Sequence, residues 1–221
     1  MAQARRVSAD QFDFDAAPWF RKTATIPVAN VAFAKGGEEI ITLQPDAAGK
    51  FIESKNIAKP GDAIVTRSPG DSYIPKKFSN NFEIDPHNPA EYRSKNFGRA
   101  IFQAGSVVIA APWGEDQTIM AGGVIFESHA GAEPEVYGNQ AASFEADYAR
   151  EDADGSLMPL TAPFATQLEW AIEKGEKAHA ADIAARLTFA IERAEGTSGP
   201  NREAPLDELR ALLRAAEAAG R

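Results

Sequence analysis

The stretch Ala58–Phe82, AKPGDAIVTRSPGDSYIPKKFSNNF, decides the fold expected for this chain. Pro60-Gly61-Asp62 is a turn signal, because proline presets φ and glycine accepts a positive φ. The β-rich run Ala63–Thr66 predicts a strand, and a second glycine turn leads into another extended piece. Phe78 and Phe82 lie four residues apart, as on one face of a helical turn. The stretch therefore predicts a hairpin that ends in an aromatic-bearing turn.

The same pattern recurs from Ala121 to Tyr148. Gly122 takes the place of Gly61 and is followed by a short apolar run and a second glycine turn. Phe144 and Tyr148 then lie four residues apart, like the two aromatics of the first stretch. A repeat of this length predicts a duplicated small domain rather than a solenoid unit, and chance similarity of two turn-strand-turn segments is the alternative.

Composition bounds the possible functions. The chain has 221 residues, a net charge of −9 and no cysteine. The negative charge argues against a nucleic-acid partner, whose phosphates must be neutralised by lysine and arginine. The lack of cysteine excludes disulfides, thiolate catalysis and cysteine-bound metal.

Hydropathy predicts a cytoplasmic protein without a membrane partner. No apolar run approaches the roughly 18 residues that a membrane span needs. The first residues, MAQARRVSADQFDFD, have no apolar core after their arginines and so do not resemble a secretory signal. The abundance of alanine, arginine and glutamate suits a bacterial source with a GC-rich genome.

The chain in order predicts an α+β fold with four parts. Residues 1–20 form an N-terminal arm, residues 21–85 a first β-rich unit, residues 96–149 a second, diverged β-rich unit, and residues 160–221 a helical C-terminal extension. The two units are small barrels or curled sheets in tandem, because their short strands are closely spaced. The polar segments that follow each unit, from Glu83 and from Arg150, are interpreted as linkers.

The period of the apolar residues changes from two to 3.6 after Thr161, which predicts helices. Thr161 is a plausible N-cap, Gly175 breaks the first helix and Pro205 begins the last one. The last helix carries an apolar stripe that needs a partner, either the protein's own sheet or a second subunit. The residues of this predicted interaction surface are Leu209, Leu212 and Leu213.

The run Lys59–Thr66, followed by Gly70–Pro75 and Phe78, resembles the PGDYG family, a small domain of bacteria and their phages that is named for its motif. The resemblance covers roughly residues 21–83 and reaches the second unit only through the repeat. There, Ala121-Gly122-Gly123 has lost the proline and the aspartate, and in the first unit Ala63 replaces the aromatic of the motif. The resemblance implies a small β-rich fold, and it implies no catalytic residues.

A basic and aromatic group in the first unit is the candidate ligand site. A nucleotide or another small anion could be bound there by charge and stacking. The candidate residues are Asp62, Arg67, Tyr73 and Lys76. We favour the alternative interpretation, in which a core aromatic is flanked by solvated lysines and Asp62 only closes its turn.

No catalytic, cofactor or metal site is predicted. The sequence contains no phosphate-binding loop, dinucleotide fingerprint or Gly-x-Ser-x-Gly motif. His87, His129 and His179 lack the spacing of metal ligands. The acidic set Glu151–Asp154 has no glutamate where a calcium loop needs one, and it is interpreted as solvated.

Three functions are compatible with these features. The first is a non-catalytic binding or interaction protein that contacts a protein partner, or itself, through the C-terminal helices. The second is an enzyme that acts on a small anionic ligand in a cleft between the two β-rich units. The third is a structural or phage-derived component whose role is assembly.

Overall fold

The computed structural model describes residues 4–46, 49–75, 77–112, 114, 116–195 and 203–221, and it shows an α+β fold. Contacts between Cα atoms divide the chain into two units. Ala24–Lys95 form one, here called the inserted unit, and the described residues before Ala24 and after Lys95 form the other, here called the main unit. Among the described residues, no helix is long and apolar enough to cross a membrane.

Helices and strands are numbered along the chain. The N-terminal segment contains β1 (Arg5–Arg6) and β2 (Trp19–Lys22). The inserted unit contains β3 (Thr25–Pro27), β4 (Val31–Phe33), β5 (Glu39–Asp46), β6 (Gly49–Ile57), β7 (Ala63–Ser68), β8 (Asp71–Tyr73), α1 (Phe78–Asn81), β9 (Phe82–Ile84) and β10 (Glu91–Ser94). The rest of the main unit contains β11 (Phe97–Phe102), β12 (Val107–Ala110), β13 (Asp116–Ile119), β14 (Val124–Ser128), β15 (Glu135–Asn139), α2 (Ala141–Asp147), β16 (Tyr148–Glu151), β17 (Leu157–Pro159), α3 (Phe164–Lys174), α4 (Lys177–Glu195) and α5 (Glu203–Ala219).

The main unit is built on a six-stranded antiparallel sheet with the order β15-β14-β11-β2-β16-β17. Successive side chains of a strand point to opposite faces, and β14 shows this clearly. Val124 and Phe126 pack into an aromatic cluster with Phe144, whereas Ile125 packs with Ile109 in a second cluster. This second cluster includes residues of a small sheet with the order β1-β12-β13. The side chains on the two faces of β14 therefore contribute to two separate hydrophobic clusters.

Residues 4–20 do not form the separate arm predicted for residues 1–20 but belong to the main unit. β2 lies inside the six-stranded sheet, where Phe20 pairs with Gly98 on one side and with Arg150 on the other. Phe20 is fully buried, and Phe14 is 7% exposed. The sequence misleads here because the strand is only four residues long and its partners lie far along the chain.

The two segments interpreted as linkers contain hairpins. β9 pairs with β10 in the first segment, and β16 pairs with β17 in the second. Arg93 and Glu83 face each other across the first hairpin and form an ion pair at 2.6 Å. Two of the polar side chains that suggested a linker thus form a cross-strand pair.

The three C-terminal helices pack on one another. Gly175, with φ of +68°, ends α3 as predicted. The stripe of α5 meets α3 and α4 in one apolar cluster, whose buried members include Leu168, Ile183 and Leu187. Leu209, Leu212 and Leu213 are partly buried in this cluster. The stripe therefore packs on two helices of the same chain instead of on the sheet, and self-association through these helices stays a prediction.

The inserted unit contains the same order of elements as part of the main unit. The series β7, β8, α1 and β9 matches β14, β15, α2 and β16. Phe82 lies opposite Ser94 and Ile84 opposite Tyr92; Tyr148 lies opposite Lys22 and Arg150 opposite Phe20 in the same register. Strand β10 of the inserted unit thus pairs with β9 in the way that β2 of the main unit pairs with β16.

Hydrogen bonds and ring contacts repeat as well. Gly61 N–H donates to Ala34 O at 2.9 Å, and Gly122 N–H donates to Gln103 O at 2.7 Å. The rings of Phe78 and Phe82 stack at 5.0 Å, and those of Phe144 and Tyr148 stack at 4.5 Å. These equivalences are those a duplication would produce, and the duplication itself stays a prediction.

Two equivalent glycines give a test of the turn geometry. Gly61 and Gly122 have φ of +87° and +84°, a region that costs an alanine about 1 kcal/mol or more. A Cβ on Gly122 would lie 2.3 Å from Phe189 Cε1, whereas a Cβ on Gly61 would meet no described atom within 4 Å. We expect Gly122→Ala to lower the free energy of unfolding by about 1 to 2 kcal/mol more than Gly61→Ala does, because it adds a steric clash to the same backbone strain. Urea unfolding of both variants measures the difference, and equal losses would contradict the contact with Phe189.

Candidate functional site

The structure brings together two of the predicted ligand residues. Arg67 Nη2 forms an ion pair with Asp71 Oδ1 at 2.8 Å, and its guanidinium lies 5.5 Å from the centre of the Tyr73 ring. The same Arg67 nitrogen donates to Leu43 O at 2.8 Å, and Asp71 also accepts from Leu43 N–H. Asp71 is buried, and its carboxylate neutralises Arg67. Through its two hydrogen bonds to Leu43, this group ties β8 to the neighbouring strand β5. Anion binding at this group stays a prediction.

The other two predicted ligand residues do not extend this group. Asp62 lies at the opposite end of β7, where its carboxylate accepts from Lys59 N–H at 2.8 Å. This hydrogen bond closes the Pro60-Gly61 turn, as in the alternative interpretation. Lys76 lies outside the described residues.

His129 and two aspartates of the acidic set bind other side chains. His129 lies 2.8 Å from Glu127 Oε2 and packs against Trp19, and His179 is fully buried. Asp152 and Asp154 both pair with Lys174. In the part of the chain that the structure describes, no three histidine or acidic residues are grouped as metal ligands.

A buried polar cluster lies where helix α4 meets the six-stranded sheet. Its members are Arg150, Gln167, Glu176, His179, Asp182 and Arg186. Arg150, 3% exposed on β16, donates to Trp19 O at 2.6 Å and binds the Glu176 carboxylate. This side chain therefore connects the sheet to the turn that precedes α4.

Arg186 is the second buried arginine of the cluster and is 4% exposed. It donates to Gln167 Oε1 at 2.7 Å and to Leu160 O at 3.2 Å, and it pairs with Glu145 at 3.2 Å. Its guanidinium lies 5.5 Å from the ring centre of Phe102 and 5.0 Å from that of Phe164. Both terminal nitrogens of the Arg186 guanidinium are thus hydrogen-bonded, and the group lies close to two aromatic rings.

Several polar atoms of the cluster have no hydrogen-bond partner among the described residues: Arg150 Nε, Arg186 Nε, Asp182 Oδ2 and both ring nitrogens of His179. Asp182 Oδ2 lies 3.9 Å from His179 Nδ1 and 4.0 Å from Arg186 Nη1. Burial raises the pKa of Asp182 to about 6, although Arg186 and Arg150 act against the shift. Burial and the same two guanidinium groups lower the pKa of His179 to about 3, so this imidazole is neutral at pH 7.

A cavity of about 530 Å³ opens beside Arg186. Helix α4 supplies one wall, with side chains spaced as on one helical face, and α2 and β11 contribute to the other walls. The aromatic and charged residues that line the cavity are Phe102, Glu145, Phe164, Arg186, Phe189 and Arg193. We call this space the Arg186 cavity. Its volume is in the range of small-molecule sites, and its lining is apolar with a few charged groups.

The sequence did not point to these residues. The sequence places Arg150 in a segment typical of a linker, and it indicates the buried face of α4 only through apolar residues. The available signal was the group His179, Asp182 and Arg186, which lie three and four residues apart and so share a helical face with the apolar stripe. Polar residues on the buried face of a helix are unusual and indicate a buried network.

Comparisons of the chain with protein-family models, with curated proteins and with solved structures found no match. The resemblance to the PGDYG family therefore stays a prediction.

The pKa of Asp182 gives a test of the cluster. The folded-state pKa of about 6 lies above the unfolded value of about 3.9, so folding becomes less favourable as the pH rises through this window. We expect Asp182→Asn, which has no charge to bury, to gain about 2 to 3 kcal/mol in unfolding free energy relative to the original protein between pH 4 and pH 7. His179 acts in the opposite direction, because its folded-state pKa is lowered. Urea unfolding at several pH values measures this gain, and a difference that is independent of pH would contradict the burial of the charge.

Proposed function

We propose that the protein is a non-catalytic binding protein, and that its ligand is a small apolar molecule with a carboxylate or similar anionic group. The observation that supports the proposal is the buried guanidinium of Arg186 in the wall of an aromatic-lined cavity. The phenyl rings would receive the apolar part of the ligand. The guanidinium would receive the anionic part through a charge-assisted hydrogen bond, which arginine forms readily with carboxylates.

The charges around the cavity favour an anion. Two arginines and one glutamate line it. Glu145 holds Arg186 in the absence of a ligand, but the Glu145 side chain is 39% exposed. It can therefore turn into water when a ligand carboxylate takes its place beside Arg186 Nη2.

The lining also favours binding over catalysis. None of the described residues that line the Arg186 cavity is a serine, threonine, cysteine, histidine or lysine, the side chains most used as nucleophiles. Two functions expected from the sequence stay predictions: an enzyme with a cleft between two β-rich units, and an assembly component. A cytoplasmic location also stays a prediction.

A matched pair of ligands tests whether the anionic group of the ligand contributes to binding. Octanoate and 1-octanol have the same alkyl chain and differ in the anionic group. We expect octanoate to bind the full chain at least tenfold more tightly than 1-octanol, because a charge-assisted hydrogen bond contributes about 1.5 to 3 kcal/mol. Isothermal titration calorimetry measures both affinities, and equal affinities would contradict a role for Arg186.

A matched pair of variants tests whether octanoate binds in the Arg186 cavity. Ala142 lines the cavity and is exposed at its mouth, whereas Ala146, on the same short helix, is exposed and does not line it. We expect Ala142→Trp to weaken octanoate binding at least tenfold by filling the mouth, and Ala146→Trp to leave it unchanged. Both positions are exposed, so neither variant disturbs the core. Unchanged binding in Ala142→Trp would exclude this cavity.

A further inference from the structure

A second cavity, of about 510 Å³, lies in the main unit between α4, β11 and the segment that leads into β2. Its volume is in the range of small-molecule sites. Of the described residues that line it, only Phe102 also lines the Arg186 cavity. Asp182 is the one polar residue that α4 contributes to this described lining. We call this space the Asp182 cavity.

The walls of the Asp182 cavity are small or apolar. Helix α4 contributes Ala178, Ala181 and Ala185, which lie three and four residues apart and so share one helical face. Their methyl groups leave open the space that larger side chains would fill. Strand β11 contributes Ala100–Phe102, and the segment before β2 contributes Phe12. An apolar ligand would therefore find contacts on three sides.

The carboxyl group of Asp182 is buried without a hydrogen bond to its Oδ2 atom. The residue is 8% exposed, and no described residue donates to Oδ2. His179 Nδ1 at 3.9 Å and Arg186 Nη1 at 4.0 Å are both too far away to donate. Because a buried carboxylate that lacks hydrogen bonds is costly, a donor group that entered the cavity would be bound favourably.

The charges around Asp182 favour a cation. Both charged residues of the described lining are acidic: Asp182 in the wall, and Asp13, which is exposed. The two arginines of the buried polar cluster each pair with another carboxylate, Arg186 with Glu145 and Arg150 with Glu176. The negative charge of Asp182 is therefore the one in the cluster that no described side chain neutralises at hydrogen-bond distance.

We infer that the Asp182 cavity binds a small primary amine with an apolar body, whose ammonium group donates to the Asp182 carboxylate. An ammonium has three donors and no acceptor, and its hydrogen bonds to a carboxylate are charge-assisted. The apolar body would lie against the alanines of α4 and the side chains of β11. Since the two cavities have separate lining residues apart from Phe102, this inference does not depend on the proposed function.

Three ligands test the chemistry of the site. At pH 8 the Asp182 carboxyl is ionised, because its pKa is about 6, and an alkylammonium is protonated, because its pKa is close to the value of about 10.4 for lysine. Calorimetry with the full chain should show that 1-octylamine binds at least tenfold more tightly than 1-octanol. Equal affinities would overturn the inference.

The length of the amine tests the apolar walls. 1-Butylamine has the apolar length of a lysine side chain, and it should bind at least tenfold more weakly than 1-octylamine, because the cavity buries the additional methylene groups. If both amines bind equally, the walls contribute nothing, and a ligand with an apolar body is excluded.

A matched pair of charge variants tests the role of Asp182. Asp182→Asn keeps the shape of the side chain and should weaken 1-octylamine binding at least tenfold. This variant is expected to be more stable than the original protein, so that a loss of binding does not come from unfolding. Asp10→Asn removes the same charge at an exposed position outside the lining and should leave binding unchanged. Unchanged binding in Asp182→Asn, or equal losses in both variants, would contradict the inference.

A second pair of variants locates the amine. Ala185 lines the cavity and is exposed, whereas Thr188, on the same helix, is exposed and lines neither cavity. We expect Ala185→Trp to weaken 1-octylamine binding at least tenfold, and Thr188→Trp to leave it unchanged. Circular dichroism establishes that the variants fold, and Ala16→Trp, at an exposed position of the lining, carries the test if Ala185→Trp does not fold. If Ala142→Trp alone weakens binding, the amine occupies the Arg186 cavity and the inference is overturned.

Discussion

The placement of one short strand, Trp19–Lys22, is the constraint on which the main unit depends. This strand pairs with Phe97–Phe102 on one side and with Tyr148–Glu151 on the other. Its backbone amides and carbonyls are buried by these neighbours, and an unpaired buried backbone group is costly. The sheet therefore cannot be completed until residues far along the chain are present. The inserted unit has an equivalent strand, Glu91–Ser94, in the equivalent place.

The buried polar cluster fixes α4 on this sheet at an energetic cost. Arg150 and Arg186 lose their water, and hydrogen bonds to carbonyl groups, carboxylates and an amide replace it. Buried charges of this kind rarely add net stability, because the cost of desolvation offsets the attraction between the ions. Their directional bonds, however, allow few alternative positions of the helix. The same cluster supplies the guanidinium that lines the Arg186 cavity, so that the element that orients α4 also gives the cavity its charge.

The helical layer explains why two similar sheets have different surfaces. Helix α4 covers Phe102 and Gly122 in the main unit. The equivalent residues of the inserted unit are Gly61 and Phe33, which lies opposite Ala63 as Phe102 lies opposite Val124, and both remain exposed. An apolar residue costs little on the surface by itself. The same arrangement of aromatic residues is thus covered by a helix in the main unit and exposed in the inserted unit.

Local features of the sequence determined much of the architecture. The Pro60-Gly61 and Gly122 turns, the strands after them, the aromatic pairs four residues apart and the helix end at Gly175 are set by neighbours in the chain, and so periodicity and turn chemistry predict them. Only the tertiary structure decided the partners of Trp19–Lys22, the burial of Arg150 in a segment that looks like a linker, and the contact of Leu209, Leu212 and Leu213 with helices of the same chain. It alone assembled the Arg186 cavity from β11, the turn at Gly122 and the helices α2, α3 and α4. The physical reason is that these features depend on contacts between residues distant in sequence, and the pattern of one segment does not identify the segment that it contacts.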